Sequence, residues 1–410
     1  AMQPQAPPHG TLLERGQSLL GLFAFTVLAF LIGKVRGAKG FPWRVVIWGT
    51  ILDFIFGAIV LFSPRLLEIV QYAIQRILDF TLVGVQMVFG SLMNQDLTVS
   101  DASGHSIGLA HLGLVFGVVV LPTIIFVAML TAMLYHTGIL TAIVHGLSWV
   151  MQKSMGTSGA ETLSTAANLF VGQTEAPLIV KPFLASATNS EMMAIMVGGF
   201  ANIASGVLVT YTEFLKDYIL NVGGHLAAAC FISAPATLVV AKLMMPETTV
   251  PVTAGGVKFK VEKVDANLID AATRGTTEGT ELAINVGAML ITFTALVAMI
   301  DAIFGWVCGK FGHPNVTMES LLGYVMAPLA WLSGVRWSEA HAAGALLGVK
   351  TVLNEFIAYL QMSQHFAQDR NFLSPRSALI TVYALCGFAN FASVGIQIGG
   401  ISTMAPTRRH

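Results

Sequence analysis

Charge is what this 410-residue chain has least of: Lys, Arg, Asp and Glu make up 11% of it. Soluble globular domains carry roughly 25%, so an ordinary water-facing surface is excluded. A net charge of +0 and the lack of any basic tract exclude a nucleic-acid partner. Cysteine is scarce as well. Cys230, Cys308 and Cys386 sit in apolar runs with no short spacing, which excludes a disulfide framework or a zinc site and predicts buried free thiols. No charged-start, cleavable signal is present, and Ala1–Gly10, polar and Pro-rich, reads as an end outside the folded body.

Apolar residues fill the space that charge leaves, at 55% of the chain. They come in runs that match the ~20 residues a helix needs to cross a bilayer. The expected fold class is therefore an all-α polytopic membrane protein in a lipid bilayer. A bundle of spans forms one unit, not the two or three domains this length would suit in water.

Ser18–Gly33 is the first span. Lys34, Arg36, Lys39 and Arg44 follow with no acid among them, so the positive-inside rule places that loop in the cytoplasm and the N-terminus outside. Val45–Phe62 returns, with Asp53 its one internal charge and helix packing its plainest role. Arg65–Asp79 alternates polar and apolar residues at helical intervals and predicts an amphipathic helix in the outer interface. Asn94–His105 reads as a polar loop. Leu112–Tyr135 is the third span, with Pro122 expected to kink it, and Ile139–Gln152 reads as a second surface-lying helix.

Thr157–Leu184 fits no simple span, because each apolar arm is short and Gly172–Pro177 lies between them. It predicts a re-entrant hairpin with a polar tip at mid-membrane depth. Glu191–Thr210 follows as a span loosened by Gly198, Gly199 and Asn202–Gly206. Ala227–Met245 is an ordinary span, and the loop holding Lys258, Lys260 and Lys263 reads as cytoplasmic. Asn267–Val307 predicts a long tilted helix. Leu321–Val335 then leads to Trp337–Met362, where Lys350, Asn354 and Glu355 interrupt apolar sequence. Ala378–Met404 is a span carrying Gly387–Ser393, and Arg408, Arg409 and His410 form a second positive, cytoplasmic flank.

Two of these segments repeat. Gly199-Phe-Ala-Asn-Ile-Ala-Ser205 recurs as Gly387-Phe-Ala-Asn-Phe-Ala-Ser393, and Glu175 has a counterpart in Glu355. The charge signs make the first copy enter from the cytoplasm and the second from outside. Opposed copies of a hairpin and a broken helix are the inverted-repeat design of secondary transporters, with the site between them at the midplane. The expected division is 1–156 (N-terminal spans, interfacial helices, scaffold), 157–246 (first repeat), 247–316 (loop and long scaffold helix) and 317–410 (second repeat).

The polar groups inside this bundle suit a neutral solute rich in hydroxyls: two acids, Glu175 and Glu355, with amides and hydroxyls beside them. No basic cluster offers itself to a phosphate or carboxylate; Lys350 reads as balancing a nearby acid. Carbonyls freed near Asn168 and Asn202 suit a hard cation such as Na⁺.

Four stretches then carry a resemblance: Asn168–Pro177, Lys242–Thr248, Lys350–Tyr359 and Cys386–Ser393 resemble the concentrative nucleoside transporter family, here a bacterial sodium-coupled nucleoside symporter. The resemblance implies a multi-pass protein of the bacterial inner membrane, a homotrimer, and cation-coupled uptake of nucleosides such as uridine, without catalysis. It implies that Gln173, Thr174 and Glu175 meet the nucleobase, with Val207, Phe388 and Leu282 as apolar walls. Glu355, Asn390 and Ser393 match ribose-binding positions. A sodium site is implied at Asn168 and Asn202, with backbone carbonyls at Val171 and Ile203. The family pattern continues with one more span after the Pro-x-Arg-Arg segment, so that span reads as missing from this sequence, leaving seven spans and two hairpins. Proton coupling through Glu175 or Glu355 stands as an alternative, and a membrane-embedded hydrolase using that acid pair, or a passive channel, as more distant ones.

Overall fold

A computed structural model describes residues 10–94, 96–103, 105–111, 115–255, 265–313 and 316–408. The loop lysines Lys258, Lys260 and Lys263, residues 1–9 of the polar end, and Arg409 and His410 lie outside the described residues.

The N-terminal part holds α1 (Leu12–Val35), α2 (Trp43–Phe62) and α3 (Pro64–Phe89), then β1 (Asp96–Ser100) and β2 (Ser106–His111). Helix α3 runs ten residues past the amphipathic stretch expected at Arg65–Asp79, since Phe80–Phe89 adds an uninterrupted run of helix-compatible residues. The expected polar loop contains a two-stranded antiparallel hairpin pairing Asp96 with His111. Leu97 and Val99 alternate with polar residues, and Asp101 turns the chain by accepting from the Ser103 and His105 amides at 2.9 Å.

Next come α4 (Phe116–Val119) and α5 (Leu121–His136). Pro122 starts α5 instead of kinking a continuous span; a proline in the first turn loses no hydrogen bond there. Helix α6 (Ile139–Met155) leads into the first repeat, made of α7 (Gly159–Ala167), α8 (Ala176–Ile179), α9 (Lys181–Leu184), α10 (Asn189–Ala201), α11 (Ser205–Leu215) and α12 (Val222–Met244). Pro177 and Pro182 hold the returning arm of the hairpin to the short α8 and α9. Then follow α13 (Leu268–Gly309), α14 (Met318–Leu332), α15 (Trp337–Val352), α16 (Glu355–Gln368), α17 (Pro375–Leu385) and α18 (Phe391–Met404).

Among the described residues, seven helices are long and apolar enough to cross a membrane. The number equals the expected one but the membership differs. Pro64–Met93 is included, while the second repeat's 375–404 segment is split into α17 and α18, each too short alone.

Small residues set how closely these helices approach. The long α13 packs along α5 through Gly275, Gly279 and Ala283, one turn apart each time. A Cβ on Gly275 or Gly279 would stand 2.8 Å from the Cα of Met129 or Ile125, so only glycine admits this spacing. The buried core lies elsewhere, around α10, α11, α12 and α16. Tyr211 and Tyr359 stack with ring centroids 4.3 Å apart, Phe356 meets Tyr211 edge-on, and Phe214 in turn meets Phe356 edge-on.

Candidate binding site between the two repeats

The first hairpin begins with a capping box, in which Ser158 and Glu161 satisfy each other's backbone amides. Helix α7 stops at Asn168, and residues 168–175 form the polar tip. Within it the Gly172 amide donates to Glu175 Oε2 at 2.8 Å, folding the acid back over its own turn, where it stays exposed. The helix that follows is broken as expected. Residues 202–204 are extended between α10 and α11.

Ser205 fastens that break to the hairpin tip. Its amide and hydroxyl both donate to the Phe170 carbonyl, at 3.4 and 2.9 Å, and its hydroxyl also meets Thr131 Oγ1 on α5 at 3.1 Å. Asn168 Nδ2 lies against Gly198, 3.3 Å from where a Cβ would be, and Asn202 Nδ2 donates to the Gly198 carbonyl at 3.4 Å. Both asparagines are 2% exposed, and they converge on one turn of α10. Asn202 Oδ1 accepts from Ser233 on α12. Among the described residues no hydrogen bond reaches the Val171 or Ile203 carbonyl.

The second repeat is built on the same plan. Helices α15 and α16 are separated by Leu353 and Asn354, and Asn354 caps α16 by accepting from the Ile357 amide at 2.9 Å. Asn390 caps α18, accepting from the Ser393 amide at 2.8 Å. Gly387 has φ +149°, and a Cβ there would stand 2.8 Å from the Phe200 carbonyl oxygen. The two matching Gly-Phe-Ala-Asn segments therefore touch each other at their breaks, which requires a residue without a side chain.

Five polar groups meet at this crossing. Gln173 Nε2 of the first hairpin donates to Ser393 Oγ of α18 at 3.2 Å. Buried Glu355 accepts from Tyr211 at 3.0 Å on Oε1 and from Asn390 Nδ2 at 3.1 Å on Oε2. Val207 is buried on α11, Phe388 is half-buried in the α17–α18 break, and Thr174 packs on Gly400. Leu282 stands apart, 40% exposed on α13, and no described contact joins it to this cluster.

Three features here escape a sequence reading. Tyr211 reaches Glu355 across 144 residues, and its only local signal is a phenol in an apolar helix. Lys350 donates to the Ala384 carbonyl at 2.9 Å and so caps α17, while its charge still balances that of Glu355 through space without a direct ion pair among the described residues. Lys242, expected merely to end a span, is 3% exposed and holds Glu161 at 2.6 Å and Ser190 at 2.7 Å. It thereby pins the start of the hairpin to the start of the broken helix.

Three family profiles match the chain: the N-terminus of Na⁺ dependent nucleoside transporters over residues 20–92, nucleoside recognition over 117–218, and the C-terminus of Na⁺ dependent nucleoside transporters over 225–410. The uncharacterized transporter YutK of Bacillus subtilis is 39% identical over 405 residues, covering 95% of this chain and 91% of that one. Solute carrier family 28 member 3 of Eptatretus stoutii is 36% identical over 404 residues and covers 95% of this chain; the chain spans 56% of that relative's length. Among solved structures, the transporter CNTnw in an inward-facing substrate-bound state superposes with a TM-score of 0.83 at 38% identity, covering 97% of this chain and 91% of that one. An outward-facing variant of the same transporter gives 0.86. By this likeness in sequence and in fold, the chain belongs to the Na⁺ dependent nucleoside transporter family, whose members are transporters and not enzymes.

Proposed function

We propose that the chain takes up nucleosides, uridine among them, by sodium-coupled symport through alternating access. One observation carries this reading: Gln173 of the first repeat donates to Ser393 of the second, where both helix breaks meet. A polar junction shared by opposed repeats is what a site opening in turn to two sides requires.

In this reading an arriving nucleoside displaces the Gln173–Ser393 bond. The base meets Gln173, Thr174 and Glu175, with Val207 and Phe388 as walls and Leu282 joining when the mobile part lies against α13. A carboxylate offers about four lone-pair sites, and Tyr211 and Asn390 occupy two of those on Glu355. Two stay open for a pair of vicinal hydroxyls, so Glu355 grips the ribose with Asn390 and Ser393 beside it.

Sodium binds at the Asn168 and Asn202 side-chain oxygens and the Val171 and Ile203 carbonyls. Neutral oxygens fit this hard, singly charged ion. Ser205 ties the hairpin tip to the helix break, so ordering either by the ion orders the other. That shared element raises nucleoside affinity with sodium bound, and sodium affinity with nucleoside bound, by the same factor. The reading is completed by a homotrimer in the bacterial inner membrane, in which 157–246 and 317–410 move against scaffold helices from the other two parts.

The test is uridine uptake into proteoliposomes under an inward sodium gradient, compared with a proton gradient. Accumulation above equilibrium with sodium alone is the expected result. Uptake indifferent to sodium overturns the coupling, and accumulation driven only by protons transfers it to a buried acid such as Glu355.

A further inference from the structure

Gln397 lies on α18 one turn beyond Ser393 and is 1% exposed. Its Nε2 donates to the Met196 carbonyl of α10 at 3.0 Å. A backbone carbonyl only accepts, so this contact settles which end of the amide faces Met196. The other end, Oε1, is buried and has no hydrogen-bond partner among the described residues.

The amide occupies room that a glycine leaves. A Cβ on Gly199 would stand 1.9 Å from Gln397 Nε2 and 3.0 Å from Gln173 Cβ, so the two glutamines flank the same residue. Gln173 repeats the pattern of Gln397. One end of its amide meets the Ser393 hydroxyl, which can donate or accept, and the other, placed as Oε1, is buried without a partner among the described residues. Buried acceptors left open in pairs are unfavourable, and a donor brought by a ligand removes that cost. With the Gln397 nitrogen taken and its oxygen open, this end of the site calls for an N–H donor, which Gln173 Oε1 can also receive once the nucleoside has displaced its bond to Ser393.

We propose that Gln397 is a specificity-determining residue of the nucleoside site, accepting together with Gln173 an N–H from the edge of the base. The inference rests on the nucleoside reading above, and it extends the site one helical turn beyond Ser393. Bases presenting an imide or amine N–H on that edge are favoured over bases in which it is alkylated.

The test compares uptake of uridine with that of its N3-methyl analogue, first in the unaltered protein. The analogue is expected to show a KM higher by roughly tenfold or more, the value of one neutral hydrogen bond plus an acceptor left unpaired. Equal KM values overturn the proposal without any variant. In Gln397→Leu the uridine KM is expected to rise about tenfold and the ratio between the two substrates to shrink towards one. Gln397→Glu, protonated in this apolar setting, keeps a donor for Met196 and an acceptor for the base, and retains the ratio. Should the Leu variant not fold, Gln397→Met gives the same readout. A fall in kcat with the ratio unchanged assigns Gln397 to bracing α18 on α10 alone and refutes the specificity role. No uptake of any nucleoside by the unaltered protein refutes the functional reading itself, a separate outcome from the ratio.

Discussion

Replacing Glu355 by Gln changes one atom and tests the ribose grip directly. Glu355 is 4% exposed and faces two donors, the Tyr211 hydroxyl and the Asn390 amide. A carboxylate receives both. A glutamine receives one and turns its own NH₂ on the other, leaving a buried donor unsatisfied at about 1–3 kcal/mol. The substrate loses more. Hydrogen bonds to a charged group contribute about 1.5–3 kcal/mol each against about 1 for neutral ones, so two sugar hydroxyls forfeit roughly 1–4 kcal/mol. That is about fivefold to nearly a thousandfold in KM. The assay is sodium-gradient uptake of uridine and of its 2′- and 3′-deoxy analogues by the unaltered and Glu355→Gln proteins, with thermal unfolding in detergent as a check on folding. The unaltered protein should discriminate strongly against each deoxy analogue, and the variant should not. Uridine uptake by Glu355→Gln at the unaltered KM, with discrimination intact, refutes the role.

Three further outcomes are expected. Gly199→Ala places a methyl 1.9 Å from Gln397 Nε2, so the amide must leave the Met196 carbonyl; overpacking of this kind costs about 1–3 kcal/mol, read as a lowered Tm with a raised uridine KM. Lys242→Met leaves buried Glu161 without its cation, a loss of about 3–5 kcal/mol visible as failed or much less stable folding, and Glu161→Gln in the same chain should recover part of it. The Arg274 guanidinium beside Asp265 holds that carboxyl below the usual carboxylate range. Its stabilisation is therefore present at and above the unfolded value of about 3.9 and is lost as pH falls through the lower folded one. The Tm difference between the unaltered protein and Asp265→Asn should be full at neutral pH and begin to shrink only as pH falls below about 3.9, and a difference that does not shrink at any acid pH at which the protein still folds contradicts the pairing.

Much of this architecture can be read along the chain because bilayers constrain sequence strongly. A backbone in hydrocarbon must satisfy its own hydrogen bonds, so apolar length alone announces helices, and asparagine grouped with glycine within such a run marks a break, whereas lone prolines such as Pro235 and Pro328 stay inside α12 and α14. The splits at 202–204 and 386–390 were legible for that reason, as was the repeat that contains them. The strands at Asp96–Ser100 and Ser106–His111, and the start of α5 at Pro122, were not, because short alternation and a single proline are each compatible with more than one local structure.

The sequence by itself determined the membrane class, the two opposed repeats and the polar tips, all of them properties of composition and local spacing. Tertiary structure decided which polar groups meet. Gln173 finds Ser393 across 220 residues, Tyr211 finds Glu355 across 144, and Lys350 gives its hydrogen bond to the Ala384 carbonyl while attracting Glu355 only through space. Gln397 gains its place only because Gly199 from the other repeat leaves a gap for it. Local spacing carries no information about such pairings. They follow from how two broken helices cross, and the crossing is set by packing over the whole bundle.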